Sequence, residues 1–321
     1  MIIAPKVFVS RIIPGLDRLQ GQYDLDVWPD ELPPPYEALC EHVRGVDGLL
    51  CMLTDRIDGT LMDAAGSNLK VISQMAVGYD NIDVKAARQR KLSLGNTPGV
   101  LTETTADLAF ALLLASARRL IEGAHYIQDG KWITWHPTTL LGHDVTGATL
   151  GLVGLGRIGK AMAKRASGFD MQILAYSPHL TDAEAVEIGV ERVELNDLLH
   201  RADFVSLHCP LNAETRHLIN RATLAWMKPS AILINTTRGG VVDQKALYEA
   251  LTGGIIAGAA LDVTDPEPLP ADDPLLRLPN VTVVPHVGSA TIGTRGKMAQ
   301  IAIDNLIAGI NGRSLPHAIG A

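Results

Sequence analysis

Three polar side chains in the second half of the chain could together reduce a carbonyl group. Arg238, Glu267 and His286 each follow a short apolar segment of the sequence. An arginine binds a carboxylate through two parallel hydrogen bonds. A histidine can donate a proton to a carbonyl oxygen while hydride arrives at the carbon, and a neighbouring carboxylate would orient the ring and favour its protonated form. The three residues therefore predict acid–base catalysis on a small molecule that carries a carboxylate.

Each of these residues also has an ordinary explanation. Taken alone, Glu267 in its proline-rich loop is more often an exposed acid, and Arg238 can be a surface charge. The two glycines after Arg238, and the shared position of all three residues after apolar segments, favour the catalytic interpretation. His208 also follows an apolar segment, but Cys209 and Pro210 beside it are typical of an adenine-side wall, so we assign His208 no chemistry.

A glycine turn near the middle of the chain predicts a dinucleotide site. Gly154, Gly156 and Gly159 follow the apolar segment 148–153 and open a helical stretch that leads to a second apolar segment, 172–176. In such a β-α-β unit the first glycine permits a tight turn, the second lets a pyrophosphate approach the backbone, and the third lets the helix pack against the strand. The helix N-terminus would then bind the phosphates. The alternative is a glycine turn that serves packing alone.

The residue at the end of the second strand of this unit bears on the choice of dinucleotide. Units that prefer NAD carry an acidic residue there, which binds the ribose 2′-hydroxyl. This chain has Ser177, followed by Pro178 and His179. A serine can donate a hydrogen bond to a 2′-phosphate, and Arg157 or His179 could supply positive charge. We therefore expect NADP(H) to be favoured, with NAD(H) also accepted.

Short apolar segments around the glycine turn predict an α/β sheet of the doubly wound type. Six strand candidates alternate with helical segments and cover residues 150–153, 172–176, 204–207, 231–235, 256–261 and 281–284. Because ligands bind at the carboxyl ends of parallel strands, the segments that follow these strands would line one crevice. Arg238, Glu267 and His286 all lie in such segments.

The first third of the chain predicts a second, smaller α/β domain of flavodoxin-like type. Strand candidates cover residues 7–10, 46–53, 69–75 and 92–94, and helix candidates cover 35–43, 58–65 and 83–90. Val77 and Gly78 directly follow the third strand, where their backbone N–H groups could bind a carboxylate. From the local sequence alone, a simple glycine turn is the favoured interpretation there. The break at Asn96–Gly99 is a candidate crossing between domains.

A long apolar helix connects the two predicted domains. Thr102 is a suitable N-cap, and the stretch 106–117 is apolar nearly all round, which predicts burial on two sides. Another domain could cover the second side, but we favour a second copy of the chain. In the loop that follows, we expect Trp132 to pack against its own domain. For Trp135, such packing and a role as an interface anchor or pocket wall are equally favoured.

The overall composition excludes several classes of partner. The chain has 321 residues, a net charge of −7 and no block of lysine or arginine, which argues against nucleic acid or an anionic membrane as a main partner. No signal peptide or membrane-spanning stretch is evident, and the three cysteines are widely spaced. We expect a cytoplasmic protein with reduced cysteines and no metal site.

Five segments of the chain, taken in order, resemble the D-isomer-specific 2-hydroxyacid dehydrogenases along almost the whole length. The matching segments are Ala76–Asn81, Gly154–Gly159, Asn235–Gly239, Ala260–Pro268 and Pro285–Ser289. Within the family, the loop 132–137 and the strand end at Ser177 are most similar to the glyoxylate/hydroxypyruvate reductases. Formate dehydrogenases share the fold but carry glutamine at the position of Glu267, so that activity is not expected.

The resemblance implies a discontinuous architecture and a reaction. Residues 1–98, with 289–321 returning to them, would form the substrate domain. Residues 99–288 would form a Rossmann dinucleotide-binding domain that carries the dimer helix 102–120. The protein would use NAD(P)H to reduce a small 2-oxo acid, such as glyoxylate or hydroxypyruvate, to the D-2-hydroxy acid, with His286 as general acid.

The resemblance also implies roles for individual residues near the substrate. Arg238 would hold the substrate carboxylate and carbonyl, and Glu267 would orient and tune His286. The amides of Val77 and Gly78 would bind the carboxylate. The types and positions of Arg238, Glu267 and His286 suggest chemistry in the sequence itself, whereas the local sequence at Val77 and Gly78 favours a simple glycine turn.

Further residues complete the implied sites. Ser289 would line the substrate site, and Trp135 would enter the site of the partner subunit of a homodimer. The residues implied in cofactor binding are Thr105, Gly154, Leu155, Gly156, Arg157, Ile158, Gly159, Ser177, Pro178, His179, Cys209, Pro210, Thr215, Thr236, Thr237, Asp262, His286 and Gly288.

Two alternative functions share the same residues. A dinucleotide-sensing binding protein, similar to a corepressor, would bind the cofactor but turn over no 2-oxo acid. Another D-2-hydroxyacid dehydrogenase, such as phosphoglycerate dehydrogenase, would share the chemistry and differ in substrate. Oxidation of NADPH or NADH on addition of glyoxylate or hydroxypyruvate would separate an enzyme from a sensor.

Overall fold

The computed structural model describes residues 4–319, which fold as two compact α/β units. One unit contains the residues up to Leu101 and those from Ala290 onward, and the other contains Thr102–Ser289. Each unit has its own parallel sheet and buried core. The predicted fold class is therefore confirmed, whereas the division of labour between a substrate domain and a dinucleotide domain stays a prediction.

The smaller unit is built on a five-stranded parallel sheet. Its strands are β1 (Lys6–Val9), β2 (Asp24–Val27), β3 (Gly48–Cys51), β4 (Val71–Gln74) and β5 (Ser93–Gly95), in the spatial order β2-β1-β3-β4-β5. Its helices are α1 (Tyr36–His42), α2 (Gly59–Ala65), α3 (Val84–Gln89) and the C-terminal helix α11 (Ile292–Ile310). A Cβ on Gly309 would lie 2.4 Å from the Cβ of Val71, so glycine allows α11 to pack directly on β4.

Strand β2 is the element of this unit that the sequence pattern does not predict. Its sequence Asp-Leu-Asp-Val alternates exposed and half-buried residues at the edge of the sheet, so it lacks the apolar run of the inner strands. The strands predicted at 46–53 and 69–75 are shorter in the structure. Their apolar ends, including Val46, Leu69 and Met75, are buried in the core but lie outside the strands.

The larger unit is built on a seven-stranded parallel sheet. Its strands are β6 (Thr149–Val153), β7 (Gln172–Tyr176), β8 (Glu191–Arg192), β9 (Phe204–Leu207), β10 (Ile232–Asn235), β11 (Gly258–Leu261) and β12 (Val281–Val283). Its helices are α4 (Thr102–Ala117), α5 (Leu120–Gln128), α6 (Arg157–Ser167), α7 (Asp182–Ile188), α8 (Leu195–Arg201), α9 (Arg221–Leu224) and α10 (Gln244–Thr252).

The strand order of this sheet is β12-β11-β10-β9-β6-β7-β8, so the chain reverses its direction of progress between β6 and β9. Such a switch point is where open α/β sheets bind ligands. All six predicted strands are present, and β8 is a seventh. The sequence pattern misses β8 because it has only two residues, both exposed, at the edge of the sheet.

The connecting helix differs from its predicted bounds of 102–120. It ends at Ala117, so the predicted end is wrong, and Thr102 is its first helical residue rather than its cap. Arg119 adopts a left-handed φ of 52°, which breaks the helix before α5. The N–H of His143 donates to the Ala117 carbonyl at 2.8 Å, and a Cβ on Gly142 would lie 2.1 Å from that same oxygen. A returning loop therefore terminates the helix.

Within residues 4–319, no helix is long and apolar enough to cross a bilayer. The same residues contain no cluster of three or more His, Cys, Asp or Glu side chains that could hold a metal ion. Cys40, Cys51 and Cys209 are free thiols. The cytoplasmic location stays a prediction.

Candidate active site

Two glycines of the turn between β6 and α6 are required by the packing around them. Gly154 has a left-handed φ of 98°, and a Cβ there would lie 2.6 Å from the backbone nitrogen of Cys209. A Cβ on Gly159 would lie 2.3 Å from the carbonyl oxygen of Gly154. Only residues without a Cβ therefore let α6 and the segment after β9 approach the turn this closely.

Gly156, the remaining glycine of the turn, faces open space. It is the N-cap of α6, and nothing lies within 4 Å of the position that a Cβ would take. The N–H groups in the first turn of a helix have no partner within the helix, and the helix dipole adds partial positive charge there. A diphosphate could therefore approach the backbone at this point, and the turn fits the pyrophosphate of a dinucleotide.

Several residues implied in cofactor binding follow β9 and β10. Thr236 has a buried hydroxyl with no hydrogen-bond partner among residues 4–319. A buried polar group without a partner in the chain is a candidate for binding a ligand. Thr215 donates to the Pro210 carbonyl at 2.5 Å and so closes the loop after β9. Burial lowers the pKa of His208 to about 4, and the Ser206 hydroxyl lies 2.9 Å from its Nε2. A neutral, half-buried His208 agrees with assigning it no acid–base role.

The residues expected to face the adenosine ribose follow β7. Ser177 is half-buried, and Pro178 and His179 are exposed. Arg157, in the first turn of α6, is also exposed. Gly154 donates its N–H to the Tyr176 carbonyl at 2.8 Å, which ties the end of β7 to the glycine turn.

Arg238 is positioned by the side chain of Asn235, the last residue of β10. Asn235 Oδ1 accepts from the N–H of Thr237 at 3.0 Å and from its hydroxyl at 2.8 Å, while Asn235 Nδ2 donates to the Arg238 carbonyl at 3.0 Å. The next residue must be glycine, because a Cβ on Gly239 would lie 1.9 Å from the Thr264 carbonyl oxygen. The backbone of Arg238 is thus fixed beside the loop that follows β11.

Glu267 and His286 form a hydrogen-bonded pair. Glu267 Oε1 lies 2.5 Å from His286 Nδ1, and Glu267 Oε2 accepts from the Thr264 N–H at 3.3 Å. Burial would raise the pKa of Glu267, but the hydrogen bond to His286 and the positive charge of Arg238 contribute to lowering it below its ordinary value. The carboxylate is therefore ionised at neutral pH. Since Nδ1 is engaged, Nε2 is the ring nitrogen that could donate a proton to a ligand.

The backbone around His286 is held by Asp262, which follows β11. Asp262 Oδ1 accepts from the Val287 N–H at 2.6 Å, and Oδ2 accepts from the Gly288 N–H at 2.9 Å. His286 has a left-handed φ of 53°, a conformation that costs a non-glycine residue about 1–3 kcal/mol and needs support from its surroundings. Thr105 on α4 adds a hydrogen bond to the Gly288 carbonyl at 3.3 Å. Burial raises the pKa of Asp262, although the two amides and the charge of His286 oppose that rise.

The other residues implied in substrate binding lie elsewhere in the two units. Val77 and Gly78 follow β4 in the smaller unit and are half-buried. Ser289 is the last residue of the larger unit. Trp135 is 79% exposed, and Trp132 is 62% exposed. The expectation that Trp132 packs against its own domain is wrong, because the whole stretch 131–139 is exposed and contributes nothing to a core.

The sequence pattern does not single out the residues that hold the backbone of the site. From the sequence, Asn235 is identified only inside a longer matching segment, and Asp262 is identified only as a cofactor ligand. Gln74, whose side-chain amide donates to the Gly78 carbonyl at 2.5 Å, is not identified at all. Each is a polar residue within or directly after a buried apolar strand. That contrast is the signal that could have found them, since buried polar groups need partners.

Comparison with known proteins places these sites in context. Residues 110–288 match the family described as D-isomer specific 2-hydroxyacid dehydrogenase, NAD binding domain. The chain is 52% identical over 318 residues to a glyoxylate reductase of Korarchaeum cryptofilum, a match that covers 98% of this chain and 96% of that protein. A Thermus thermophilus protein of known structure is 49% identical with a TM-score of 0.90, and the match covers 98% of this chain and 99% of that one.

Another solved structure similar to this chain is a complex with a dinucleotide. The NADPH-dependent glyoxylate/hydroxypyruvate reductase of Sinorhizobium meliloti, in complex with NADP and malonate, is 32% identical with a TM-score of 0.87. The match covers 98% of this chain and 97% of that one. The similarity to all three proteins therefore spans both units.

Proposed function

Since the chain belongs to the D-isomer-specific 2-hydroxyacid dehydrogenase family, we propose that it reduces glyoxylate and hydroxypyruvate with NADPH, giving D-2-hydroxy acids where the product is chiral. The chain is an oxidoreductase that uses a nicotinamide dinucleotide, and its larger unit, which matches the NAD binding domain of the family, is the proposed cofactor-binding domain. The observation that carries the finer proposal is the Glu267–His286 pair, 2.5 Å apart, with the charge of Arg238 acting on the same carboxylate. The names of the relatives support glyoxylate and hydroxypyruvate as substrates.

In the proposed reaction His286 is the general acid. The reduced nicotinamide, when bound, supplies hydride for the carbonyl carbon of the 2-oxo acid. His286 Nε2 donates its proton to the carbonyl oxygen, while Nδ1 stays hydrogen-bonded to the ionised Glu267, which stabilises the imidazolium before the transfer. Arg238 binds the substrate carboxylate and polarises the carbonyl. In the reverse direction the same Nε2 accepts the hydroxyl proton.

The proposed substrate site includes residues that the family resemblance implies. The amides of Val77 and Gly78 bind the substrate carboxylate, and Ser289 lines the site. Trp135 acts in the site of the partner subunit, and its 79% exposed side chain is consistent with a role outside its own unit.

The proposed assembly is a homodimer formed through the predicted dimer helix 102–120, which ends as α4 at Ala117, together with α5 and the loop after it. Large exposed apolar side chains concentrate in this stretch: Leu120, Ile121, Ile127, Trp132, Ile133, Trp135 and Leu141. Exposed apolar side chains that include aromatic residues are typical of protein interfaces. Sedimentation velocity should show a dimer, and a monomer at working concentrations would contradict the proposal.

NADP(H) is the proposed preferred dinucleotide. Ser177 carries no negative charge that would repel a 2′-phosphate, and the exposed Arg157 and His179 can attract one. We expect Ser177→Asp to lower kcat/KM with NADPH by roughly 10- to 100-fold, the value of a hydrogen bond to a charged group, and to affect NADH much less. A wild-type enzyme that strongly prefers NADH would contradict this proposal but leave the fold and the Glu267–His286 pair unaffected.

The experiment that tests the function is a turnover assay of the purified protein. Oxidation of NADPH and of NADH is followed by absorbance with glyoxylate and with hydroxypyruvate. Turnover with either acid supports the proposal. Dinucleotide binding without turnover on any 2-oxo acid would indicate a sensing protein instead, and preferential oxidation of 3-phosphoglycerate would indicate a different dehydrogenase.

A further inference from the structure

We infer that Gln74 and Asn96 are positioning residues for the substrate carboxylate, because their side chains hold the backbone of Val77 and Gly78 in one orientation. The inference rests on the proposed role of the Val77 and Gly78 amides. It assigns the orientation of those amides to two buried side chains of the smaller unit that do not themselves touch the substrate.

The carbonyl groups of Val77 and Gly78 both accept hydrogen bonds from buried side-chain amides. Asn96 Nδ2 donates to the Val77 carbonyl at 2.8 Å, and Gln74 Nε2 donates to the Gly78 carbonyl at 2.5 Å. Gln74 is fully buried, and Asn96 is 8% exposed. Water therefore competes little for these donors, and each carbonyl is held by a group shielded from solvent.

Peptide geometry converts these contacts into directed N–H groups. In a planar trans peptide, the carbonyl of one residue and the N–H of the next point in opposite directions. Holding the Val77 carbonyl therefore turns the Gly78 N–H away from Asn96, and holding the Gly78 carbonyl turns the Tyr79 N–H away from Gln74. Among residues 4–319, neither N–H group donates to another group of the chain. Both thus stay available to a ligand.

The preceding peptide is held in the same way. The Ala76 carbonyl accepts from the backbone N–H of Thr97 at 2.9 Å, which turns the Val77 N–H away from Thr97. The loop therefore presents three successive N–H groups, of Val77, Gly78 and Tyr79, none of which donates within the described part of the chain. Backbone N–H groups without a partner in the chain can bind an anion, so we add the Tyr79 amide to the two already proposed.

The side chain of Gln74 is itself held by a second amide. Gln74 Nε2 also donates to Asn81 Oδ1 at 2.9 Å, and Gln74 Oε1 accepts from Asn81 Nδ2 at 2.9 Å. Asn81 Nδ2 also lies 3.1 and 2.8 Å from the carbonyl oxygens of Met52 and Asp55, which share its second N–H. This reciprocal pair leaves Gln74 little freedom to rotate. Removal of its amide releases the Gly78 carbonyl and also breaks both hydrogen bonds between Gln74 and Asn81.

The test compares Gln74→Glu, which keeps the side-chain volume but removes the donor, with Gln74→Met, which removes the amide. Because the carboxylate of the substrate is bound alike in the ground and transition states, KM for glyoxylate should rise about 10-fold or more while kcat changes far less. The inhibition constant of oxalate, an unreactive carboxylate, should rise in parallel. The Kd of NADPH should stay unchanged. Asn96→Asp should behave in the same way.

Ser73→Ala is the matched control. Ser73 lies next to Gln74 on β4, is fully buried, and donates to the Ala302 carbonyl at 2.7 Å. Its removal breaks a buried hydrogen bond of the same strand without touching the loop, so Tm should fall while KM stays constant. Gln74 variants that lose stability with KM within twofold of wild type would overturn the inference and leave the proposed function standing.

Failure of the proposed function gives a different result. In that case the wild-type protein turns over no 2-oxo acid, and calorimetric titration with oxalate replaces the KM measurement. Oxalate binding that is weakened at least tenfold in Gln74→Met, but not in Ser73→Ala, would still support the inference. Equal binding by both variants, or no binding by the wild type, would overturn it.

Discussion

The loop after β4 and the turn around His286 are both shaped by buried polar side chains, but with opposite hydrogen-bonding polarity. At the turn, the carboxylate of Asp262 accepts from two successive backbone N–H groups. At the loop, Asn96 and Gln74 donate to two successive backbone carbonyls. In the turn, the backbone N–H groups are therefore engaged by Asp262. In the loop, the carbonyls are engaged and the N–H groups remain available to a ligand.

This difference decides what each region can present to a ligand. When the N–H groups are captured, the turn presents a side chain, His286, whose ring is oriented further by Glu267. When the carbonyls are captured, the loop presents its backbone N–H groups. Disturbing the turn should therefore slow the chemical step and lower kcat, whereas disturbing the loop should weaken substrate binding and raise KM.

The largest effect is expected for His286→Ala. A positioned general acid typically contributes about 10²- to 10⁴-fold, so kcat with glyoxylate should fall within that range. The Kd of NADPH, measured by fluorescence titration, should stay close to the wild-type value because the glycine turn is intact. Near-normal turnover would remove His286 from the mechanism and with it the assignment of the chemical step to the turn.

A smaller effect is expected for Asp262→Asn. An amide can accept through one atom only, so its NH2 group would face the N–H of Val287 or Gly288. We expect kcat to fall by about 10- to 100-fold with a smaller change in KM, and the free energy of unfolding to fall by about 1–3 kcal/mol for the unsatisfied donor. Steady-state kinetics measure kcat and KM, and denaturant unfolding measures the free energy of unfolding.

Asp243→Ala serves as the control for this prediction. Asp243 caps α10 by accepting from the Ala246 N–H at 3.0 Å, and its loss should cost about 1 kcal/mol of stability. Since it lies outside the turn, kcat should not change. If KM of Asp262→Asn rises while kcat is retained, the expectation that the turn affects kcat and the loop affects KM is wrong.

The same contrast explains how much the sequence predicts. Gly154 and Gly159 are predictable because backbone geometry admits only glycine there, and Glu267 and His286 because each follows a strand of one parallel sheet. The holding residues are harder to predict. Gln74 is recognisable only once the chain bends to bring the Gly78 carbonyl to it, and edge strands such as β2 and β8 lack the buried pattern on which strand prediction depends.

The smallest expected effect is a pH-dependent difference in stability between the two regions. The pKa of Glu267 is lowered in the folded protein, so its pairing with His286 stabilises the fold fully above the unfolded pKa of about 4.3 and is lost as pH falls through the folded value. The side chains of Glu267 and His286 are 32% and 26% exposed, so their pairing should contribute under about 1 kcal/mol to the free energy of unfolding. The free energy of unfolding of wild type minus that of Glu267→Gln should shrink as pH falls below about 5, where Glu267 takes up its proton.

Gln74→Met provides the comparison, because the amides that hold the loop do not titrate. The free energy of unfolding of wild type minus that of Gln74→Met should stay constant from neutral pH down to pH 3. Urea unfolding at each pH measures it. Two outcomes would contradict a difference in charge between the turn and the loop. One is a free-energy difference between wild type and Glu267→Gln that stays level down to pH 3, and the other is a difference for Gln74→Met that shrinks in acid. The turn would then depend on hydrogen-bond geometry alone, as the loop does.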